Sequence, residues 1–259
     1  MIEPSDEILR VVELSVSTKS NKVILNNINF TCKEREFLVI IGKNGHGKTT
    51  LSLSVANLLN KNVFNVNGKI FFKGKDILSL SDIDLNLIRQ KNIGYIPQNP
   101  FSSFNPTKKI KTQFEEQSKL KNISLDFYIE LMKQLELKNF ELILNKYPFE
   151  LSGGILQRLS AVRCLAFKPE LIIADEPTSA LDKPVSNLLL SLFYKFVKDE
   201  KKTLILITQD LSIAEKFADR IAFLNSGEMN VILNREQFFA SKDSIDLKIL
   251  LEAYQQLKI

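Results

Sequence analysis

Residues 42–49 read GKNGHGKT and follow directly on an apolar run, FLVII. The spacing G-x-x-x-x-G-K-[ST] is that of a phosphate-binding loop. Glycines at 42 and 47 permit backbone shapes that a Cβ would block. The loop's N–H groups can then turn inward, and the helix that follows can present its positive N-terminus to phosphate oxygens. Lys48 is placed to reach the β- and γ-phosphates, and the Thr49 hydroxyl to ligate Mg²⁺. Gly42, Asn44, Gly45, Gly47, Lys48, Thr49 and Thr50 form the candidate phosphate-binding set. His46, the single histidine of the chain, occupies a variable slot of the loop, where a structural or exposed role is the simpler reading.

Two further segments carry chemistry. LIIADEP, residues 171–177, ends an apolar strand on two carboxylates. Asp175 is the candidate for holding Mg²⁺, through water. Glu176 then falls near the γ-phosphate, where a general base or water-orienting group is needed. LSGGILQR, residues 151–158, sets Ser152 and two glycines at an apparent helix start, which makes an anion-binding nest. In this order the three segments imply that a nucleotide is bound and hydrolysed.

These residues need elements to hold them. Up to about residue 72 the chain is strand-rich: VVELSVS and KVILNNINF alternate, FLVII is fully apolar, and KIFFKGKDI reads as a hairpin-like pair. TTLSLSVANLL reads as a helix with Leu51, Val55, Leu58 and Leu59 on one face. Residues 100–149 are helical and polar-faced in KTQFEEQSKL, DFYIELMKQLEL and KNFELILNKY. Apolar strands LIIAD and TLILIT then alternate with helical KPVSNLLLSLFYKFVKDE and LSIAEKFAD. RIAFLNSGEM reads as strand and turn, and KILLEAYQQL as a closing helix. Strands alternating with helices predict an α/β core with a parallel sheet.

Composition narrows the class. The 259 residues are 44% hydrophobic and 25% charged, in the range of a folded globular chain. The net charge of +5 comes from scattered lysines, which reads as a solvated surface rather than a nucleic-acid or membrane patch. Cys32 and Cys164 are far apart without ligand-type neighbours, so neither a zinc site nor a disulfide is supported, and a reduced compartment is the default. MIEPSDEILR is acidic and has no apolar stretch of the secretory-signal kind. No apolar run approaches the length of a membrane span.

Taken together, the motifs resemble the ATP-binding subunits of ABC transporters over nearly the whole chain. The resemblance implies a P-loop NTPase, RecA-like α/β core with a mainly parallel sheet, an N-terminal antiparallel β subdomain and an inserted helical subdomain. It implies one ABC-type domain over residues 1–259. Residues 1–99 and 159–259 would form the catalytic core, and 100–158 the helical subdomain with the signature. On the same resemblance GKNGHGKT is similar to the Walker A loop, IIADE to Walker B, LSGGILQR to the signature, and SALD, residues 179–182, to the D-loop. Gln98 in YIPQNP resembles the Q-loop glutamine, which touches metal and water. The family pairs two domains head to tail, so Ser152, Gly154 and Asp182 would serve a nucleotide held by the other chain. QNPFSSFNP and YPFELSGGILQR resemble the peptide/nickel importer branch, with a slight lean towards nickel or metallophore members.

Two positions depart from the family pattern. Gln209 stands where the resemblance implies a switch histidine; it can donate a hydrogen bond but carries no charge. The family stacks adenine on an aromatic residue ahead of the second strand, and residues 14–30 contain no aromatic before Phe30. Thr18 and Lys19 occupy that place. The reading is an ATPase with ATP and Mg²⁺, at the cytoplasmic face of a membrane. Its implied partners are two transmembrane permease subunits, a second ATP-binding subunit in a heterodimer, and an extracytoplasmic solute-binding protein, with no nucleic acid. The competing readings are a soluble ABC-type ATPase acting on nucleic acid or ribosomes, and an exporter or lipid-extraction ATPase.

Overall fold

The computed structural model describes residues 6–241 and 244–256; the first five residues of the acidic N-terminal segment lie outside them. Two sheets form the frame. The first is antiparallel, in the order β2 (Val23–Lys33), β1 (Glu7–Thr18), β4 (Phe64–Phe72), β5 (Lys75–Asp76). The second runs β10 (Glu228–Asn234), β9 (Arg220–Asn225), β3 (Phe37–Ile41), β8 (Thr203–Thr208), β7 (Leu171–Asp175), β6 (Ile93–Ile96). Its strands are parallel except at the β10–β9 edge.

Every residue of FLVII, LIIAD and TLILIT is buried, because a parallel sheet is covered on both faces. Side chains alternate across it. Val39, Ile41, Ile172, Ala174, Leu204 and Leu206 enter one apolar cluster with helices α3 (Ile110–Lys121), α4 (Leu125–Gln134), α6 (Gly153–Ala166) and α7 (Lys183–Lys198). Leu38, Ile40, Leu171, Ile173, Ile205 and Ile207 enter a second with α1 (Lys48–Val55) and the antiparallel sheet. The remaining helices are α2 (Asp82–Lys91), α5 (Phe140–Leu144), α8 (Leu211–Phe217), α9 (Arg235–Ala240) and α10 (Ile245–Gln256). Cys32 and Cys164 are free thiols buried in different clusters.

The structure corrects the sequence reading in places. α1 stops at Val55, and Leu58 is 41% exposed rather than on the buried face with Leu51 and Val55. The cause is Asn57, which turns into the left-handed region at φ 51° and donates its amide to Ile77 O at 2.8 Å. In KNFELILNKY only Phe140–Leu144 is helical, between Asn139 at φ 55° and Asn145. α2, β6 and α9 had no reading, and β4 begins at Phe64, well before KIFF.

The two sheets are joined at Glu36, which is 5% exposed. One carboxylate oxygen accepts from the Lys33 N–H at 2.6 Å, and the other lies 3.2 Å from Arg220 Nη1. Breaking such a pair strands the partner charge. Arg220 keeps a quarter of its side chain in water, so the low end of the usual cost applies. Glu36→Ala should destabilise the fold by about 3 kcal/mol, read as a lower urea midpoint with an unchanged slope.

Candidate functional site

Four neighbouring strands, β3, β8, β7 and β6, deliver their C-terminal ends to one edge of the parallel sheet, where open α/β sheets bind ligands. The glycine loop follows β3, Thr208 and Gln209 close β8, Asp175 and Glu176 close β7, and Gln98 follows β6. A cavity of about 340 Å³ opens there, lined by Ile24, Asn44, Gly45, Gly47, Lys48, Thr49, Thr50, Gln98 and Glu176. Gly47 sits at φ 94°, and a Cβ on it would lie 2.8 Å from Leu25 Cδ2, so both conformation and space require glycine. His46 accepts a hydrogen bond at Nδ1 from the Ser226 N–H, 3.1 Å away, tying the loop to the β9–β10 turn.

Lys48 is buried, 3.4 Å from Glu176 Oε1, and donates to Asn44 Oδ1 at 3.1 Å. Thr208 Oγ1 donates to Glu176 Oε2 at 3.3 Å. Glu176 itself holds φ 47°. A left-handed glutamate is strained, and such strain gathers at functional positions. Its N–H donates to Ile207 O at 2.8 Å, which fixes the carboxylate against β8. The Ser52 hydroxyl donates to Asp175 Oδ2 at 3.2 Å and meets Tyr95 OH at 3.1 Å. Thr49 hydrogen-bonds the same carboxylate.

Burial raises the pKa of both Asp175 and Glu176, opposed in each case by Lys48. Burial also pushes the Tyr95 phenol up to about 12, so it stays a neutral hydrogen-bonding group. Asp175 Oδ1 is shielded from solvent without a hydrogen-bond partner. An orphaned carboxylate oxygen on a side chain that also meets the Thr49 hydroxyl fits a divalent cation with oxygen ligands. Among the described residues no group of three His, Cys, Asp or Glu could hold a metal by itself. Thr49, Asp175 and Gln98 would therefore have to share one with phosphate oxygens and water.

Ser152, Gly154 and Asp182 do not line this cavity. They meet elsewhere. Ser152 caps α6, accepting from the Ile155 N–H at 3.4 Å, and Asp182 caps α7, accepting from the Val185 N–H at 2.9 Å. A Cβ on Gly154 would come within 3.0 Å of Ala180 O, so the glycine lets α6 and the 179–182 turn touch. Asp182 also acts on Arg158 across that contact. Gln209 is exposed and outside the cavity lining. The segment after Gln98 is clamped to the signature helix: Ser103 Oγ meets Ser160 Oγ at 2.7 Å, and Arg163 donates to Ser103 O.

Sequence reasoning missed Ser52, Tyr95, Thr208 and Ile24. Ser52 lies one helical turn beyond Lys48, and Thr208 is a polar end to a buried apolar run; both patterns were visible signals.

A model of the family described as "ABC transporter" matches residues 25–179. The metal-staphylopine import system ATP-binding protein CntD of Staphylococcus aureus (strain NCTC 8325 / PS 47) is 34% identical over 96% of this chain and 94% of its own length. The oligopeptide transport ATP-binding protein OppD of Lactococcus lactis subsp. cremoris (strain SK11) is 32% identical over 91% of this chain and 72% of its own. Among solved structures, the dimeric post-hydrolysis form of the ATP-binding cassette MJ0796, bound to ADP and Pi, superposes with a TM-score of 0.77 at 28% identity. It covers 88% of this chain and 98% of that one.

The raised carboxylates generate a pH prediction. The folded state holds protons on Asp175 and Glu176 at pH values where the unfolded chain has released them. Stability without added nucleotide should therefore fall as pH rises from the ordinary carboxylate range through the raised values. Asp175→Asn should flatten that fall, measured as melting temperature against pH.

Proposed function

The chain belongs to the ABC transporter family and is an ATP-binding ATPase subunit, and from that premise we propose that it powers a multi-subunit importer of peptides, nickel or a metal chelate. The observation that carries the catalytic part is that Lys48, at the start of α1, stands 3.4 Å from Glu176 Oε1 in one cavity at the strand ends, with Asp175 hydrogen-bonded to Ser52 of the same helix. The relatives' names, a metal-staphylopine importer and an oligopeptide transporter, support the solute range.

In this reading Asn44, Gly45, Gly47, Lys48, Thr49 and Thr50 cradle the phosphates. Mg²⁺, when bound, supplies charge neutralisation of the β- and γ-oxygens; Thr49, Asp175 and Gln98 would hold it. Phosphate oxygens draw Lys48 from its ion pair with Glu176. The freed carboxylate, still held by Thr208, orients water and takes its proton. Gln209, exposed at the end of β8 and outside the cavity lining, would reach the γ-phosphate only with nucleotide in place and would donate without charge, which makes this site slow.

Ser152, Gly154 and Asp182 stand apart from the chain's own phosphate cavity, which supports their serving a nucleotide on a second ATP-binding subunit. Because Gln209 weakens only the site built on this chain's Lys48, we favour a heterodimer whose other site is fully equipped. Residues 100–158 are proposed as the helical subdomain that meets two permease subunits. In support, a groove of about 440 Å³ between α2, β6 and α6 is lined by Arg89, Lys91, Ser103, Gln117 and Arg163. An extracytoplasmic solute-binding protein completes the system. Among the described residues no helix is long and apolar enough to cross a membrane, so the proposed place, the cytoplasmic face of the cell membrane, depends on the permeases. Co-purification tests this: permease subunits should accompany the tagged chain, and ribosomes or nucleic acid in their place would contradict it.

Two substitution tests follow. Lys48→Ala removes a charge-assisted phosphate contact of about 1.5–3 kcal/mol, so Mg-ATP affinity should fall about 10- to 100-fold; an unchanged affinity would contradict the phosphate loop. In the reconstituted complex, Ser152→Arg should lower solute-stimulated ATPase more than Glu176→Gln, and Gln209→His should raise it modestly. Equal losses from the first two, with no gain from the third, would contradict unequal sites.

A further inference from the structure

We propose that Phe64 supplies the aromatic contact for the base of the bound nucleotide, a role that rests on the phosphate-loop reading of residues 42–50. The phosphate cavity ends at Thr50. One helical turn further along α1, Ser54 donates its hydroxyl to Thr50 O at 2.6 Å. Ser54 lines a second cavity, of about 570 Å³, between α1 and the antiparallel sheet. Four residues of helix span about 6 Å, so this cavity begins where a ribose and base would follow the phosphates out of the loop.

Among the described residues Phe64 is the only aromatic one lining the second cavity. It pairs with Thr18 across β1 and β4, in continuous register with Ser17–Asn65 and Val16–Val66. Directly opposed residues share a sheet face, and alternate pairs return to it. Val16 belongs to the cluster that contains Leu51 and Val55 of α1, and Val66 and Phe64, both partly buried, pack against it. The Thr18–Phe64 pair therefore faces α1, with the ring carried by the neighbouring strand rather than by position 18.

The ring is held in place by the backbone around it. Lys19 N–H donates to Val63 O at 3.0 Å, and Phe64 N–H to Asn60 O at 3.0 Å, so the β1–β2 turn and the start of β4 move as one. The rest of the lining suits the edge of a base: Asn21, Asn57, Asn65 and Asn67 offer amide donors and acceptors. Lys19 Nζ donates to Asn65 Oδ1 at 2.6 Å, which orients that amide. Stacking on an aromatic ring tolerates any base, so the amides would select among bases and the ring would supply affinity.

The chain contains no tryptophan, so Phe64→Trp places a single reporter in this cavity. Its emission should be quenched in a saturable way by Mg-ATP and by Mg-ADP, and should not respond to magnesium tripolyphosphate, which has no base. Phe64→Leu keeps apolar bulk without a ring. By titration calorimetry it should weaken ATP and ADP about tenfold and leave tripolyphosphate unchanged, with the wild-type circular dichroism spectrum. Unchanged ATP affinity in Phe64→Leu, in a protein whose ATP binding is lost by Lys48→Ala, would overturn the role of Phe64 and leave the phosphate loop intact. Unchanged affinity in both variants would overturn both. Equal weakening of ATP and tripolyphosphate would overturn it too, since the effect would then reach the loop rather than the base.

Discussion

One ammonium group and two carboxylates share a pocket from which water is largely excluded, and the molecule is organised around that fact. Lys48 and Glu176 are each nearly buried and 3.4 Å apart, with Asp175 on the adjoining residue. Burial raises the pKa of both carboxylates, and the single Lys48 ammonium offsets that cost only in part. A ligand that brings a divalent cation and takes up the lysine relieves it. This fits the proposal that the site takes ATP together with Mg²⁺ rather than either alone.

Holding those charges together requires rigid strands. β3, β8 and β7 are buried along their whole length and lie side by side. Their ends cannot drift apart without opening the core on both faces. Glu176 turns sharply out of β7 with a left-handed backbone, and the neighbouring β8 supplies the Ile207 carbonyl that fixes it. The same sheet carries the consequence outward. Ser103, five residues after Gln98, is joined to Ser160 and Arg163 of α6, which ties the segment after β6 to the helix that Ser152 caps.

Much of this was legible in the sequence where the signal is local. The phosphate loop, the DE pair and the LSGG start each lie within a few residues, and the fully apolar strands announce a parallel sheet. What was not legible depends on register or on long-range partners. The stop of α1 at Asn57 rests on a bond to Ile77, twenty residues on. The Thr208 grip on Glu176 joins two strands. Phe64 was invisible because its importance comes from standing opposite Thr18, a pairing that alternation in one strand cannot reveal. α2, β6 and α9 were missed because short or polar segments lack a clear period.

The cavity at the strand ends holds Lys48 and Glu176, while Ser152, Gly154 and Asp182 lie outside its lining, so hydrolysis is proposed to be the act of two chains. Turnover per chain, measured at saturating Mg-ATP across a wide range of protein concentration, separates this from a self-sufficient site. The account predicts low turnover in dilute solution that climbs with concentration, or with added partner subunit, as chains pair. Full turnover, independent of concentration and of any partner, would contradict it.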